Sequence, residues 1–196
     1  MSKRVFDILA AATGMLILAP VFLLIGLWIK WDSPGPALFL QQRVGRHERL
    51  FNIFKFRTMH SSKTNGLQLT VGRDCRITRA GRFLRRHKLD ELPQLMNVLA
   101  GSMSLVGPRP EVPHYVAFYP PEMRALVLSV APGITDWAAI EYKDENALLA
   151  SSSDPERTYI EQILPDKLDH YTRYARERTF WIDLCIIFRT LAVITR

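Results

Sequence analysis

A chain of 196 residues with 48% hydrophobic content and a mean hydropathy of 0.00 can build one core, but it has too little apolar sequence for a polytopic membrane protein. Its formal net charge of +7 calls for an anionic partner: nucleic acid, anionic lipid or a phosphorylated small molecule. The two cysteines, Cys75 and Cys185, are too few for a disulfide framework and lack metal-ligand spacing, which reads as a reduced, cytoplasmic, zinc-free protein.

Residues 8–29 carry no charge. A helix of that length reaches across about 30 Å of hydrocarbon. No small-residue cleavage site with a polar sequence after it marks a signal peptide. Pro20 sits near the middle, where it removes a backbone hydrogen bond and kinks a helix. Lys3 and Arg4 precede the run, and Lys30, Arg43, Arg46 and Arg49 follow it. Basic residues at both ends give no reason to place those ends on opposite faces of a membrane. A re-entrant helix that bends at Pro20 and returns satisfies both facts; a kinked spanning helix is the alternative. Trp28 and Trp31 would sit at headgroup level.

Asp32-Ser33-Pro34-Gly35-Pro36 is a turn cluster that closes this segment. Residues 37–44 and 50–56, with Gly45-Arg46-His47-Glu48 between them, predict a β-hairpin. Residues 61–72 are polar and read as a mobile loop. Helical spacing appears over 77–84, 93–100, 122–130, 159–178 and 180–194, whereas 147–157 reads as a loop. The last of these helices has a broad apolar face suited to a core or a membrane interface.

Four groups of residues could carry chemistry. Asp90 and Glu91 are adjacent, so they do not face each other as a glycosidase pair would. Pro93 is tolerated only in a first helical turn, which places the helix start near Asp90 and Asp90 near its N-cap. An ordinary cap fits that position. So does a carboxylate beside a bound phosphate and divalent cation, and an aspartate can also attack phosphorus. Arg109 is held between Pro108 and Pro110 with little backbone freedom, and its planar guanidinium suits phosphate oxygens. Strand alternation puts Lys55 and Arg57 on one face, suited to an anion. Arg82, Arg85, Arg86 and Lys88 form a dense basic group just before Asp90. No nucleic-acid-binding module accompanies them.

Taken in order, Asp32 to Pro36, Phe51-Asn52-Ile53-Phe54-Lys55-Phe56-Arg57-Thr58-Met59, Leu89-Asp90-Glu91-Leu92-Pro93-Gln94-Leu95, Gly107-Pro108-Arg109-Pro110, Pro132-Gly133-Ile134-Thr135 and Phe180-Trp181-Ile182-Asp183-Leu184 closely resemble the monotopic phosphoglycosyl transferases, the bacterial sugar transferase family. The resemblance covers nearly the whole chain. It implies an α+β, mainly helical fold: a re-entrant membrane helix over 1–31, kinked near Pro20, then a membrane-associated catalytic domain over 32–196 with a short β-hairpin and amphipathic interfacial helices.

The resemblance further implies transfer of a phospho-sugar from a UDP-sugar to polyprenyl phosphate, usually undecaprenyl phosphate. UMP is released, and Mg2+ is the cofactor. Asp90 would be the nucleophile that forms a covalent phospho-sugar intermediate, with Glu91 beside it, and both are the expected metal ligands. Lys55, Arg57, Arg85 and Arg109 map to the basic positions around that site. The expected location is the cytoplasmic face of a bacterial inner membrane, where such enzymes begin O-antigen, capsule, exopolysaccharide or glycoprotein glycans. The expected partners are the donor, the lipid acceptor and membrane lipid, without nucleic acid, and a homo-oligomer is compatible with the sequence. Ala19-Pro20, Lys88 and Asp136-Trp137-Ala138-Ala139 stand where many members have Ser-Pro, a serine and Gly-Leu-Ala-Gln. The donor sugar is therefore unassigned.

Overall fold

A computed structural model describes residues 3–60, 72 and 74–194. The chain begins with one long helix, α1 (Lys3–Asp32), which continues through Pro20 without interruption. It is long and apolar enough to cross a membrane. Only a narrow stripe of it packs on protein. Asp7 with Ala11, and Ile25 with Ile29, are buried in two pairs at the four-residue spacing of one helix face. Leu9, Leu16, Ile17, Leu23, Leu24 and Leu27 are exposed, and Trp31 is 91% exposed.

Both ends of α1 are tied to the rest of the chain. At the start, Lys3 pairs with Asp183 at 2.5 Å, and the Arg4 guanidinium donates to the carbonyls of Val98 and Leu99. Buried Asp7 accepts from the Ser104 hydroxyl at 2.8 Å. At the far end, the Arg57 guanidinium donates to the carbonyls of Ile29, Ser33 and Pro34. This closes the carbonyls that a helix C-terminus leaves open.

The expected hairpin is present, with β1 (Leu38–Val44) antiparallel to β2 (Leu50–Phe56). The expected loop over 61–72 falls outside the described residues except for Gly72. Next comes α2 (Arg79–Arg86), capped by the Thr78 hydroxyl, with the Asp32 carboxylate accepting from Ala80 N–H at 2.9 Å. A 3-10 turn (Leu89–Glu91) leads to α3 (Gln94–Ala100), which ends on Gly101 in the left-handed region. The buried Asn97 amide latches α3 to the hairpin: it accepts from Phe54 N–H at 2.9 Å and donates to Asn52 O at 2.8 Å.

A second small sheet pairs β3 (Ser104–Val106) in parallel with a later strand, after the short helices α4 (Pro113–Val116) and α5 (Pro121–Val127). That partner, β4 (Gly133–Thr135), is followed by α6 (Trp137–Glu141). The segment expected to be a loop over 147–157 instead contributes α7 (Glu145–Ala150) and α8 (Pro155–Thr158). The Asp154 carboxylate accepts from Arg157 N–H and Pro155 occupies the first turn, which starts α8 despite its polar composition. A π-turn joins it to α9 (Leu164–Glu177), and α10 (Phe180–Ile194) completes the chain. Phe6 of α1 meets Phe180 of α10 edge-to-face at 5.1 Å, and Trp181, Phe188 and Leu191 of α10 are exposed.

Candidate active site

The Leu89–Glu91 turn is set by backbone shape on both sides. Lys88 before it is left-handed at φ 55° and Pro93 after it is helical at φ −61°. Asp90 is therefore not the N-cap of α3, as the sequence led us to expect: Pro93 takes that position and the carboxylate lies a turn earlier. Asp90 is 8% exposed and lines a cleft of about 960 Å³. Burial, and then the neighbouring Glu91 charge, push its carboxyl above the usual value, against the pull of Lys55 and Arg85.

Glu91 is held differently. Lys55 Nζ lies 2.9 Å from Oε1, and Arg109 Nη2 lies 2.5 Å from the same oxygen. Burial pushes the Glu91 carboxyl up, but the two cations outweigh it and hold the group well below the usual carboxylate range. Glu91 is thus a fixed anion that orients Lys55 and Arg109, and Asp90, which lines the same cleft, is in no such ion pair among the described residues.

Arg109 owes its place to two glycines. A Cβ on Gly107 would lie 2.4 Å from Ala131 O, and one on Gly133 would lie 2.1 Å from Gly107 N. Only glycine permits this approach. Gly107 N–H donates to Thr135 O and Gly133 N–H to Pro108 O, so the two short motifs brace each other and present Arg109. Behind it, Arg43 donates to Pro110 O at 3.0 Å and lies 3.5 Å from Glu111, which accepts from the Tyr159 hydroxyl at 2.7 Å.

Asp90, Glu91, Lys55, Arg85 and Arg109 all line the one cleft. Arg57, expected among the phosphate-binding cations, does not. It is 4% exposed and its guanidinium is committed to the carbonyls at the end of α1. β2 ends at Phe56, so the alternation that aligned Lys55 with Arg57 stops between them. The sequence reading missed Arg43, Glu111, Tyr115, Tyr159, Lys167 and Tyr171, which also line the cleft. Glu111 directly follows the Pro-Arg-Pro element, a usable signal. The others arrive from distant elements with no local pattern.

The dyad offers hard oxygen donors of the kind Mg2+ takes one or two at a time, completed by substrate phosphates. Asp90 fits that part, since a cation beside it would offset what burial and Glu91 do to its charge. Glu91 Oε1 is taken by Lys55 and Arg109, which leaves Oε2 with one 3.4 Å contact. Among the described residues, three groups spaced to ligate a metal are Glu141, Asp166 and His170. None of them lines the cleft.

A family model described as bacterial sugar transferase matches residues 1–196. The chain is 38% identical over 195 residues to the UDP-N-acetylgalactosamine-undecaprenyl-phosphate N-acetylgalactosaminephosphotransferase of Aeromonas hydrophila, covering 98% of this chain and 43% of that protein. It is 41% identical to the undecaprenyl-phosphate glucose phosphotransferase of Komagataeibacter xylinus, covering 97% of this chain and 35% of that one. Against the UDP-glucose:undecaprenyl-phosphate glucose-1-phosphate transferase of Escherichia coli K12 the identity is 36%, with 96% and 39% covered. The chain therefore spans well under half the length of these relatives. With the match extending over every residue, the chain belongs to the bacterial sugar transferase family.

Proposed function

We propose that the protein transfers a sugar 1-phosphate from a UDP-sugar to undecaprenyl phosphate or a related polyprenyl phosphate. The observation that carries this reading is the cleft itself: Asp90 and Glu91 both line it, Glu91 is pinned by Lys55 and Arg109, and Arg85 joins them from α2. In the first displacement an Asp90 carboxylate oxygen attacks the β-phosphorus. The bond from that phosphorus to the oxygen bridging to the α-phosphate breaks, and UMP leaves. In the second, a phosphate oxygen of the acceptor attacks the same phosphorus and the Asp90–phosphorus ester breaks. This frees the carboxylate and yields a polyprenyl diphosphate sugar. Arg85, Arg109 and Lys55 sit where negative charge shifts during both steps. Asp90 and Glu91 would hold a Mg2+, which supplies charge neutralisation on the phosphates.

The placement of α1 supports a re-entrant membrane helix. Its first turns are tied to Asp183, Val98 and Ser104, and its last turn to Arg57, all in one domain. A spanning helix would place those ends on opposite faces of the hydrocarbon, out of reach of groups on one side. In this reading Asp90 works at the bilayer surface, where a lipid phosphate is presented, and we place that surface on the cytoplasmic side. The test is UMP release from UDP-sugars by the full chain in lipid nanodiscs. It should require both the polyprenyl phosphate and Mg2+. Release of UMP at the same rate by Asp90→Asn would contradict the assignment.

A further inference from the structure

Arg109 follows β3 after only Gly107 and Pro108, so the place of β3 sets the place of the guanidinium. β3 and β4 pair only at Ser104 with Gly133 and at Val106 with Thr135. A two-stranded pair this short is not stable on its own, so its neighbours must hold it. α1 holds one side: the Asp7 carboxylate lies 2.8 Å from the Ser104 hydroxyl and 3.4 Å from Leu105 N. α10 holds the other, with Ile186 buried against Val106 and against Tyr174 of α9. Two hydroxyl ties fix that packing. The buried Tyr174 hydroxyl donates to Asp183 at 2.7 Å and, more weakly, to Val106 O at 3.1 Å. The Thr190 hydroxyl donates to Ile186 O at 2.8 Å, so it accepts from the Thr135 hydroxyl 2.6 Å away. Thr135 O in turn accepts from Gly107 N–H at 3.1 Å. Neither Tyr174 nor Thr190 lines the cleft.

We propose that Tyr174 and Thr190 are positioning residues for the transfer reaction: from α9 and α10 they set β3 and β4 in place, and through that pair they set Arg109 against Glu91. The inference rests on the transferase reading above. Apolar packing around Ile186 keeps the helices against the small sheet but has no direction, whereas a hydrogen bond fixes both distance and angle. Each tie meets one strand. Tyr174 reaches Val106, the last residue of β3, and Thr190 reaches Thr135, the residue that receives Gly107 N–H. Asp183 keeps the Tyr174 hydroxyl aimed, because Asp183 is itself held by Lys3 of α1. With both ties gone, β3 and β4 can slide on the apolar contacts that remain. Even a small shift at Gly107 would lengthen the Arg109–Glu91 contact, now 2.5 Å, and misplace the guanidinium for the charge that develops at phosphorus.

The test is a double-mutant cycle on UMP release by the full chain in nanodiscs, with polyprenyl phosphate, Mg2+ and either UDP-glucose or UDP-N-acetylgalactosamine, whichever the wild type turns over faster. Tyr174→Phe removes one oxygen and Thr190→Val exchanges a hydroxyl for a methyl, so the apolar packing survives. Together they should lower kcat/KM by about tenfold when Arg109 is intact. In an Arg109→Gln background the same two changes should alter kcat/KM by less than about twofold, because the group they position is already gone. A merely structural role would shrink the active fraction, and so the rate, by the same factor in both backgrounds. Thr190→Val alone reads the same cycle should the combined variant fold poorly, with a loss of about threefold when Arg109 is intact and none in the Arg109→Gln background. An equal loss in both backgrounds would overturn the inference, as would an unchanged kcat/KM with Arg109 intact. A wild type that releases no UMP from either donor would instead defeat the transferase reading, and this inference with it.

Discussion

Asp90 and Glu91 are neighbours in sequence yet carry opposite electrostatic burdens. Glu91 is neutralised by two cations and Asp90 is not, so removing one of those cations affects both residues. Arg109→Gln should lower kcat/KM by about 10²-fold or more, the scale seen when one preorganised donor to developing charge is lost. Arg57→Gln serves as the contrast. It leaves carbonyls at the end of α1 without their charged donor, and should cost about 3 kcal/mol of stability while activity per folded molecule changes little. Thermal unfolding and UMP release, measured on the same samples, separate the two outcomes. Asp136 gives a pH prediction. Burial pushes its carboxyl from 3.8 to about 6, partly offset by the hydrogen bond from Ala139 N–H. The folded state then binds the proton more tightly than the unfolded state. The stabilisation is fully present below pH 3.8 and is lost as pH rises through about 6, amounting to about 3 kcal/mol. Asp136→Asn keeps a capping oxygen and removes the buried charge. It should raise the unfolding temperature at pH 7.5, with the gain shrinking toward pH 4.5; a gain that grows with acidity would refute the account.

The elements explain why the separated motifs belong together. Asp32 ties the exit of α1 to α2, which carries Arg85, and Arg57 ties the same exit to the end of β2. Gly107 and Gly133, in two other motifs, touch backbone to backbone and aim Arg109. Gly107→Ala should therefore cost about 3 kcal/mol or more, because its Cβ would meet a backbone carbonyl that has no room to retreat. An unfolding temperature equal to wild type would show that the approach is not needed. Much of this level was legible in the sequence. The hairpin bounds and α10 follow from periodicity and turn residues, whereas the grouping of Asp90, Glu91, Lys55, Arg85 and Arg109 around one site is what the family resemblance implies. What was not legible depended on tertiary position. Arg57 lies one residue past the end of a strand, where alternation no longer predicts direction. The β3–β4 pair is only three residues on each side and is made by contacts across the chain. Asp154-Pro155 did carry a helix-start signal, but the polar run around it outweighed that signal in the reading.

At the scale of the whole molecule, α1 and α10 both expose large apolar side chains while the cleft is lined by basic ones. Exposed Leu16, Ile17, Leu24 and Trp31 suit lipid and not water. Both ends of α1 are anchored in one domain, so single cysteines at Ser2 and Pro36, in a background of Cys75→Ser and Cys185→Ser, should label from the same membrane face with an impermeant reagent. Labelling from opposite faces would mean that Pro20 only kinks a spanning helix. The chemistry itself is tested most directly by incubating the protein with its UDP-sugar and Mg2+ in the absence of acceptor, quenching, and measuring the mass of the peptide that contains Asp90. A sugar-phosphate adduct on Asp90, lost when polyprenyl phosphate is added, is the expected result. An unmodified Asp90 in an enzyme that still turns over, or an adduct on another residue, would contradict it.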